Sequence, residues 1–259
     1  MTRLLNYNTY GEGTQHPTLL IAHGLFGSGR NWRAIAKRLS SDRQVITVDM
    51  RNHGGSFWDT HHSYHDLADD LAAIVSHING PVDILAHSMG GKAAMVLAVR
   101  NPLNLHRLII VDIAPVTYTH SHIANIDIMR NLDIENLTRR SEAEKTLNNQ
   151  IHDPATSAFL AQGLELSETG NRWIFNLDAL ADNMEDLVGF PDLSALYQNE
   201  ATFIKGGVSE YILPEHMPRI KQMFPQSSVR EIAGAGHWVH AEATRQFIET
   251  ATGILAEET

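Results

Sequence analysis

The chain has 259 residues, of which 43% are hydrophobic and 19% are charged, a composition typical of a soluble globular protein with a large core. Its 20 lysines and arginines against 30 aspartates and glutamates give a net charge of −10, which disfavours binding to nucleic acid or to anionic membranes. The absence of cysteine excludes disulfides, thiolate catalysis and Cys-ligated metal sites.

The sequence predicts neither a membrane span nor a signal peptide. No stretch approaches the ~18 consecutive apolar residues that a spanning helix needs. Residues 1–13 lack the apolar region of a signal peptide. We therefore expect a cytoplasmic protein.

The first half of the chain alternates short apolar runs with helical segments. Strands are predicted at residues 18–22, 45–49, 82–85 and 108–111, and helices at 31–39, 63–78 and 92–100. This rhythm indicates an α/β fold, a doubly wound and mostly parallel sheet with helices on both faces. In such a sheet the functional residues lie at the carboxyl ends of the strands.

The alternation stops near residue 115. Helical segments are predicted at 123–132, 141–151, 154–164 and 178–188, without apolar strands between them. A long insertion between two strands predicts a helical cap, residues 115–199, over a core made of residues 1–114 and 200–259. The aromatic residues of this segment either line an apolar substrate pocket or form the cap's own core, and they are Phe159, Trp173, Phe175 and Phe190.

The alternation then resumes. Strands are predicted at 201–204 and 228–232, and helices at 214–224 and 241–255.

Ser88 stands between a predicted strand and a predicted helix, in the sequence Ala86-His87-Ser88-Met89-Gly90. The pattern G-x-S-x-G is typical of a nucleophilic serine on a sharp strand-to-helix turn, and here Ala86 replaces the first glycine. The helix start also offers free N–H groups and the positive end of a dipole to a developing oxyanion. The alternative is a serine that caps an ordinary helix.

His237 follows the last predicted strand, after the turn Gly234-Ala235-Gly236. A glycine turn at this place lets an imidazole reach over the strand ends, so we predict His237 to be the general base. Three other histidines are predicted to be structural: His23 in a glycine-rich turn, His87 pointing away from the serine, and His240 in the final helix.

Five motifs together resemble those of the YbfF-type esterases of the α/β-hydrolase superfamily. They are HGLFGS at 23–28, DMRNHG at 49–54, HSMGGK at 87–92, DIAP at 112–115 and GAGHWVH at 234–240. The resemblance covers nearly the whole chain. It implies an α/β-hydrolase fold and serine esterase activity, with acyl-CoA thioesters as further candidate substrates.

The resemblance also assigns roles to residues. Ser88 is the expected nucleophile and His237 the base that later acts as an acid. The oxyanion hole is expected to use the backbone N–H groups of Met89 and Leu25, with Phe26 as the alternative to Leu25.

Asp112 is predicted to be the acid that orients His237. Most α/β-hydrolases carry this acid after a later strand, where the present chain has Ser209, which has no charge. Asp112 directly follows the predicted strand 108–111, and the YbfF-type resemblance implies the same residue. Glu210 is the alternative, whereas Asp49 is predicted to brace a neighbouring loop.

The leading hypothesis is a serine esterase or thioesterase that acts on a small-molecule ester or acyl thioester and needs neither cofactor nor metal. Its substrate pocket is predicted to include Phe26, Trp173, Phe175, Phe190 and Trp238. The same scaffold hosts C–C hydrolases, lyases and haloperoxidase-like enzymes, which remain alternatives. A non-catalytic small-molecule-binding protein is the alternative from another class.

Overall fold

A computed structural model describes residues 3–100 and 104–257. Residues 1–2, 101–103 and 258–259, which belong to the predicted core ranges, lie outside the described residues. The strands are β1 (Tyr7–Tyr10), β2 (Thr18–Ala22), β3 (Val45–Val48), β4 (Val82–His87), β5 (Leu105–Val111), β6 (Leu164–Glu165), β7 (Arg172–Trp173), β8 (Ala201–Gly206) and β9 (Ser227–Ile232).

Seven of these strands form one sheet in the order β1-β3-β2-β4-β5-β8-β9. Every neighbouring pair is parallel except β1 and β3, which are antiparallel. The predicted α/β fold with a mostly parallel sheet is thus confirmed. The apolar pattern does not predict β1, because the side chains of this strand are largely exposed.

The helices are α1 (Arg33–Leu39), α2 (Tyr64–His77), α3 (Met89–Val99), α4 (Ile123–Asn131), α5 (Arg140–Ile151), α6 (Pro154–Ala161), α7 (Leu177–Asp182), α8 (Met184–Val188), α9 (Met217–Met223), α10 (Val239–Glu242) and α11 (Thr244–Ala256). Short 3-10 helices at Gly29–Trp32 and Pro214–His216 precede α1 and α9. The predicted helix at 178–188 divides at Asn183, whose side-chain amide donates to the carbonyl groups of Ala179 and Thr60.

The side chains of the central strands alternate between two buried layers, as the two-residue period of a strand requires. Leu20 and Ile84 belong to the layer that contains side chains of α2 and α3, whereas Leu19 and Leu85 belong to the layer that contains those of α1 and α11. Because helices cover both faces of the sheet, the carboxyl ends of its strands are left as the place for a site.

Residues 115–199 form α4 to α8 and the two-stranded ribbon of β6 and β7, between β5 and β8 in the chain. This segment is bonded to the rest of the protein at several points. The Asn176 side chain donates to Asn52 Oδ1 at 3.0 Å, and the Tyr64 hydroxyl donates to the Leu187 carbonyl at 2.7 Å. Within the described part of the chain, no helix has the length and apolar character needed to cross a membrane.

Candidate active site

Ser88 lies between β4, which ends at His87, and α3, which begins at Met89. Its backbone has φ 52° and ψ −119°, in a region that L-residues rarely adopt. A Cβ atom at Gly90 would come within 2.6 Å of the His23 carbonyl oxygen, so the residue two places after the serine must be glycine. Such a strained turn exposes the serine hydroxyl at the end of the strand, as expected of a nucleophile.

His237 lies in the loop between β9 and α10, and its imidazole reaches Ser88. The distance from His237 Nε2 to Ser88 Oγ is 3.0 Å, and that from Nδ1 to Asp112 Oδ2 is 2.8 Å. His87 Nε2 donates to the His237 carbonyl at 2.9 Å, so the histidine beside the nucleophile also holds the loop of the predicted base.

Asp112 directly follows β5 and is fully buried. The backbone N–H of Gly206 donates to its Oδ1 at 2.9 Å, and the Ser209 hydroxyl donates to its Oδ2. The serine at the usual acid position therefore bonds to the carboxylate that faces His237.

The two other carboxylates considered from the sequence are arranged differently. Glu210 is exposed. Asp49 accepts the backbone N–H of Gly29 at 2.7 Å and that of Gly55 at 2.9 Å, so its carboxylate braces two loops.

Burial shifts the pKa values of both members of the Asp112–His237 pair. It raises the pKa of Asp112 to about 6 and lowers the pKa of His237 to about 3. A neutral imidazole that donates from Nδ1 to Asp112 leaves Nε2 as an acceptor for the Ser88 proton. The geometry therefore suits proton transfer from Ser88 to His237.

Leu25 and Met89, the two residues expected to form an oxyanion hole, both line the small hollow beside Ser88. Met89 is the first residue of α3, so its N–H belongs to the unpaired helix start. The N–H of Phe26 instead donates to His53 Nε2 at 3.2 Å, so it is already engaged. The Leu25 and Met89 N–H groups are therefore the candidates for an oxyanion hole.

Buried polar groups hold this turn in place. His23 donates from Nδ1 to the Gly24 carbonyl at 2.8 Å and accepts the Met50 N–H at Nε2. His53 donates from Nδ1 to the Arg51 carbonyl at 2.8 Å. Burial lowers the pKa of both histidines, in accord with neutral rings that each donate once and accept once.

A cavity of about 180 Å³ adjoins Ser88. It is lined by Leu25, Phe26, His87, Ser88, His122, Asn125, Thr156, Phe159, Leu160, Tyr211, His237 and Trp238. Of the five predicted pocket residues, Phe26 and Trp238 line this cavity.

The other three predicted pocket residues do not line it. Trp173 is buried and donates its indole N–H to the Met129 carbonyl at 3.0 Å. Phe175 is buried, and its ring centroid lies 5.7 Å from that of Phe26. The ring centroid of Phe190 lies 6.4 Å from that of Tyr64. These three rings contact other side chains of the protein interior, so they take part in packing.

Several lining residues lie outside the sequence motifs. His122 precedes α4, and Tyr211 lies in the loop after β8. Phe159 belongs to the aromatic candidates of the inserted segment, and its ring lies 5.1 Å from that of Trp238. The same two residues also border an outer groove of about 700 Å³. Among the described residues, no group of three or more His, Cys, Asp or Glu side chains is arranged to hold a metal ion.

Comparison with known proteins identifies relatives over nearly the whole chain. Residues 17–244 match the family model described as the alpha/beta hydrolase fold. The sn-1-specific diacylglycerol lipase ABHD11 of Mus musculus is 36% identical over 97% of this chain and 85% of its own length. Esterase YbfF of Escherichia coli is 34% identical over 92% of this chain and 93% of its own length. The solved structure of a marine microorganism esterase superposes with a TM-score of 0.91 and 34% identity, over 97% of this chain and 99% of that one.

Proposed function

The chain belongs to the α/β-hydrolase fold family, and from this premise we propose that it is a serine hydrolase that cleaves carboxylic esters or acyl thioesters through an acyl-enzyme. As a relative of esterases and of a lipase, it is a carboxylic ester hydrolase in the broad sense. The observation that carries the finer proposal is the continuous chain of hydrogen bonds from Ser88 through His237 to Asp112.

In the proposed reaction, Ser88 Oγ attacks the carbonyl carbon of the substrate while its proton passes to His237 Nε2. The carbonyl oxygen becomes an oxyanion, to which the N–H groups of Met89 and Leu25 donate. The tetrahedral intermediate collapses, the bond to the alcohol or thiol breaks, and the imidazolium gives its proton to that leaving group. Water then attacks the acyl-enzyme by the same route and releases the carboxylic acid and the free serine.

Asp112 is the proposed partner of His237. Its carboxylate holds the tautomer with a proton on Nδ1 and stabilises the imidazolium that forms at each step. Support comes from its complete burial and from the two further donors, Gly206 N–H and Ser209 O–H, that fix both carboxylate oxygens. The exposed side chain of Glu210 has no comparable support.

We propose that residues 115–199 act as a cap that selects the acyl or leaving group. Support comes from Asn125, Thr156, Phe159 and Leu160 of this segment, which line the cavity beside the nucleophile. A cavity of about 180 Å³ suits a small acyl or alcohol group, and a longer chain would extend past Phe159 into the outer groove. The expected location remains the cytoplasm.

The experiment is a hydrolysis screen with wild type and Ser88→Ala. The substrates are p-nitrophenyl esters and acyl-CoA thioesters of increasing chain length, together with a diacylglycerol. We expect turnover of at least one class by wild type and loss of nearly all of it in a folded Ser88→Ala protein. Turnover that persists in Ser88→Ala would refute the proposed nucleophile.

A further inference from the structure

We propose that Tyr211 is a positioning residue for His237, with its ring acting as a platform that favours the imidazolium formed during the reaction. The inference rests on the proposed function, because it requires His237 to be the base that takes up the Ser88 proton. It concerns a residue of the loop after β8 that lies outside the sequence motifs.

The two rings are stacked face to face. Their centroids are 3.6 Å apart and their planes are inclined by 18°. Neutral aromatic pairs prefer an offset or edge-on arrangement to a face-to-face one. A cation over the face of a tyrosine ring is instead attracted by the negative charge on that face. The stack therefore stabilises a charged His237 more than a neutral one. Because the imidazole becomes charged as the reaction proceeds, this preference lowers the activation barrier.

The Tyr211 ring is held in this position by its surroundings. Its backbone N–H donates to Ser209 Oγ at 3.2 Å, and its carbonyl accepts the Tyr118 hydroxyl at 2.7 Å. Its own hydroxyl lies 2.9 Å from His120 Nε2. Burial raises the pKa of Tyr211 to about 12, so the phenol stays protonated and the ring carries no charge of its own.

The end of β8 and the loop after it act on both sides of His237. Gly206 and Ser209 bind the Asp112 carboxylate, and Tyr211, two residues further on, covers the face of the imidazole. Asp112 fixes the imidazole at Nδ1, and the Tyr211 ring fixes the plane in which the imidazole lies. Together they leave Nε2 directed at the serine hydroxyl.

Other titratable groups around His237 do not take this role. Besides Asp112 and Tyr211, the described titratable groups around it are His87, His120, His122, His240 and Glu242. The Glu242 side chain accepts the backbone N–H groups of Gly236 and Trp238, on either side of His237. Burial lowers the pKa of all four histidines, so they are neutral near pH ~7. The Asp112 carboxylate and the Tyr211 ring face contact the imidazole itself and favour its charged form, whereas Glu242 bonds to the backbone on either side of it.

The test replaces Tyr211 by phenylalanine and then by monofluoro-, difluoro- and trifluorophenylalanine. Each fluorine withdraws charge from the ring face and barely changes the ring's size, so the fold is retained. We expect kcat to fall steadily across the series, by about tenfold in total, with little change in KM. The acid limb of the kcat/KM profile should move to lower pH with each fluorine, because the imidazolium loses stabilisation. The kcat of Tyr211→Leu should be lower than that of Tyr211→Phe by a similar factor.

A matched control is the same series at Tyr197, a buried ring that packs against Phe224 with centroids 6.0 Å apart. It should give no trend in kcat or in the acid limb. A flat series at Tyr211, in an enzyme that Ser88→Ala inactivates, would overturn this inference and leave the proposed function standing. Hydrolysis that survives Ser88→Ala would overturn both.

Discussion

Replacing Asp112 by asparagine tests the proposed acid by moving the proton on His237 rather than by changing the shape of the site. The Gly206 N–H donates to Asp112 Oδ1, so the carbonyl oxygen of an asparagine would occupy that position. Its NH₂ group would then lie where Oδ2 is now, 2.8 Å from His237 Nδ1. A donor at that place requires Nδ1 to be the acceptor, which puts the ring proton on Nε2. Nε2 then cannot accept the proton of Ser88.

We expect Asp112→Asn to lower kcat by about 10³–10⁴, the effect of the wrong tautomer in a serine–histidine–aspartate triad. This corresponds to roughly 4–5.5 kcal/mol of transition-state stabilisation. The assay is the initial rate of hydrolysis of a p-nitrophenyl ester at a pH where wild-type activity is constant. Circular dichroism and the thermal midpoint show whether each variant is folded.

Glu210→Gln is the matched control, since it makes the same carboxylate-to-amide change at an exposed acid of the loop after β8. We expect it to lower kcat by less than about tenfold. A larger loss for Glu210→Gln than for Asp112→Asn, in two folded proteins, would refute the reasoning and move the acid to that loop.

Three further outcomes are expected. Burial raises the pKa of Asp112 to about 6 and lowers that of His237 to about 3. The pair should therefore take up the proton that inactivates the enzyme at a pH below the range in which a histidine usually titrates. Half-maximal kcat/KM should thus lie at or below pH ~6, and an acid limb centred above pH ~7 would contradict this. Phe159→Ala removes a ring that lines both the cavity and the outer groove, so it should shift relative kcat/KM toward longer chains by ~10–200-fold. An unchanged chain-length profile would count against the cap. Burial lowers the pKa of Lys92 to about 7. Above that pH the Lys92 amine is protonated in the unfolded chain but neutral in the folded protein, so raising the pH favours the folded protein. The thermal midpoint of wild type relative to that of Lys92→Met should therefore rise between pH ~7 and ~9. A pH-independent difference by calorimetry would show that Lys92 is charged in the folded protein.

The parallel sheet could be predicted from the sequence because buried parallel strands leave continuous apolar runs. The runs before Asp49, Ser88 and Asp112 correspond to β3, β4 and β5. Strand β1 leaves no such signal, since it is an exposed edge strand. The division of the last cap helix at Asn183 also has no clear signal, because it depends on a bond to Thr60 in a distant loop.

Only part of the candidate site could be predicted from the sequence, because the role of several of its side chains depends on tertiary packing. Ser88 and His237 belong to motifs, and their predicted roles remain predictions although the structure brings the two side chains together. Aromatic content marks Trp173 and Phe190 as apolar, but only the tertiary path of the chain decides whether an aromatic ring lines a cavity or packs in a core. Tyr211 has no sequence signal, because its stacking on the imidazole depends on the path of the loop after β8.

The most direct test of the central claim is the mass of the enzyme quenched in acid within the first turnover of a p-nitrophenyl ester. An acyl-enzyme predicts an intact mass increased by the acyl group, with the modification on the peptide that contains Ser88. His237→Ala should abolish the adduct, since the serine then has no base. An adduct on another residue, or steady hydrolysis with the Ser88 peptide unmodified at every quench time, would contradict the account.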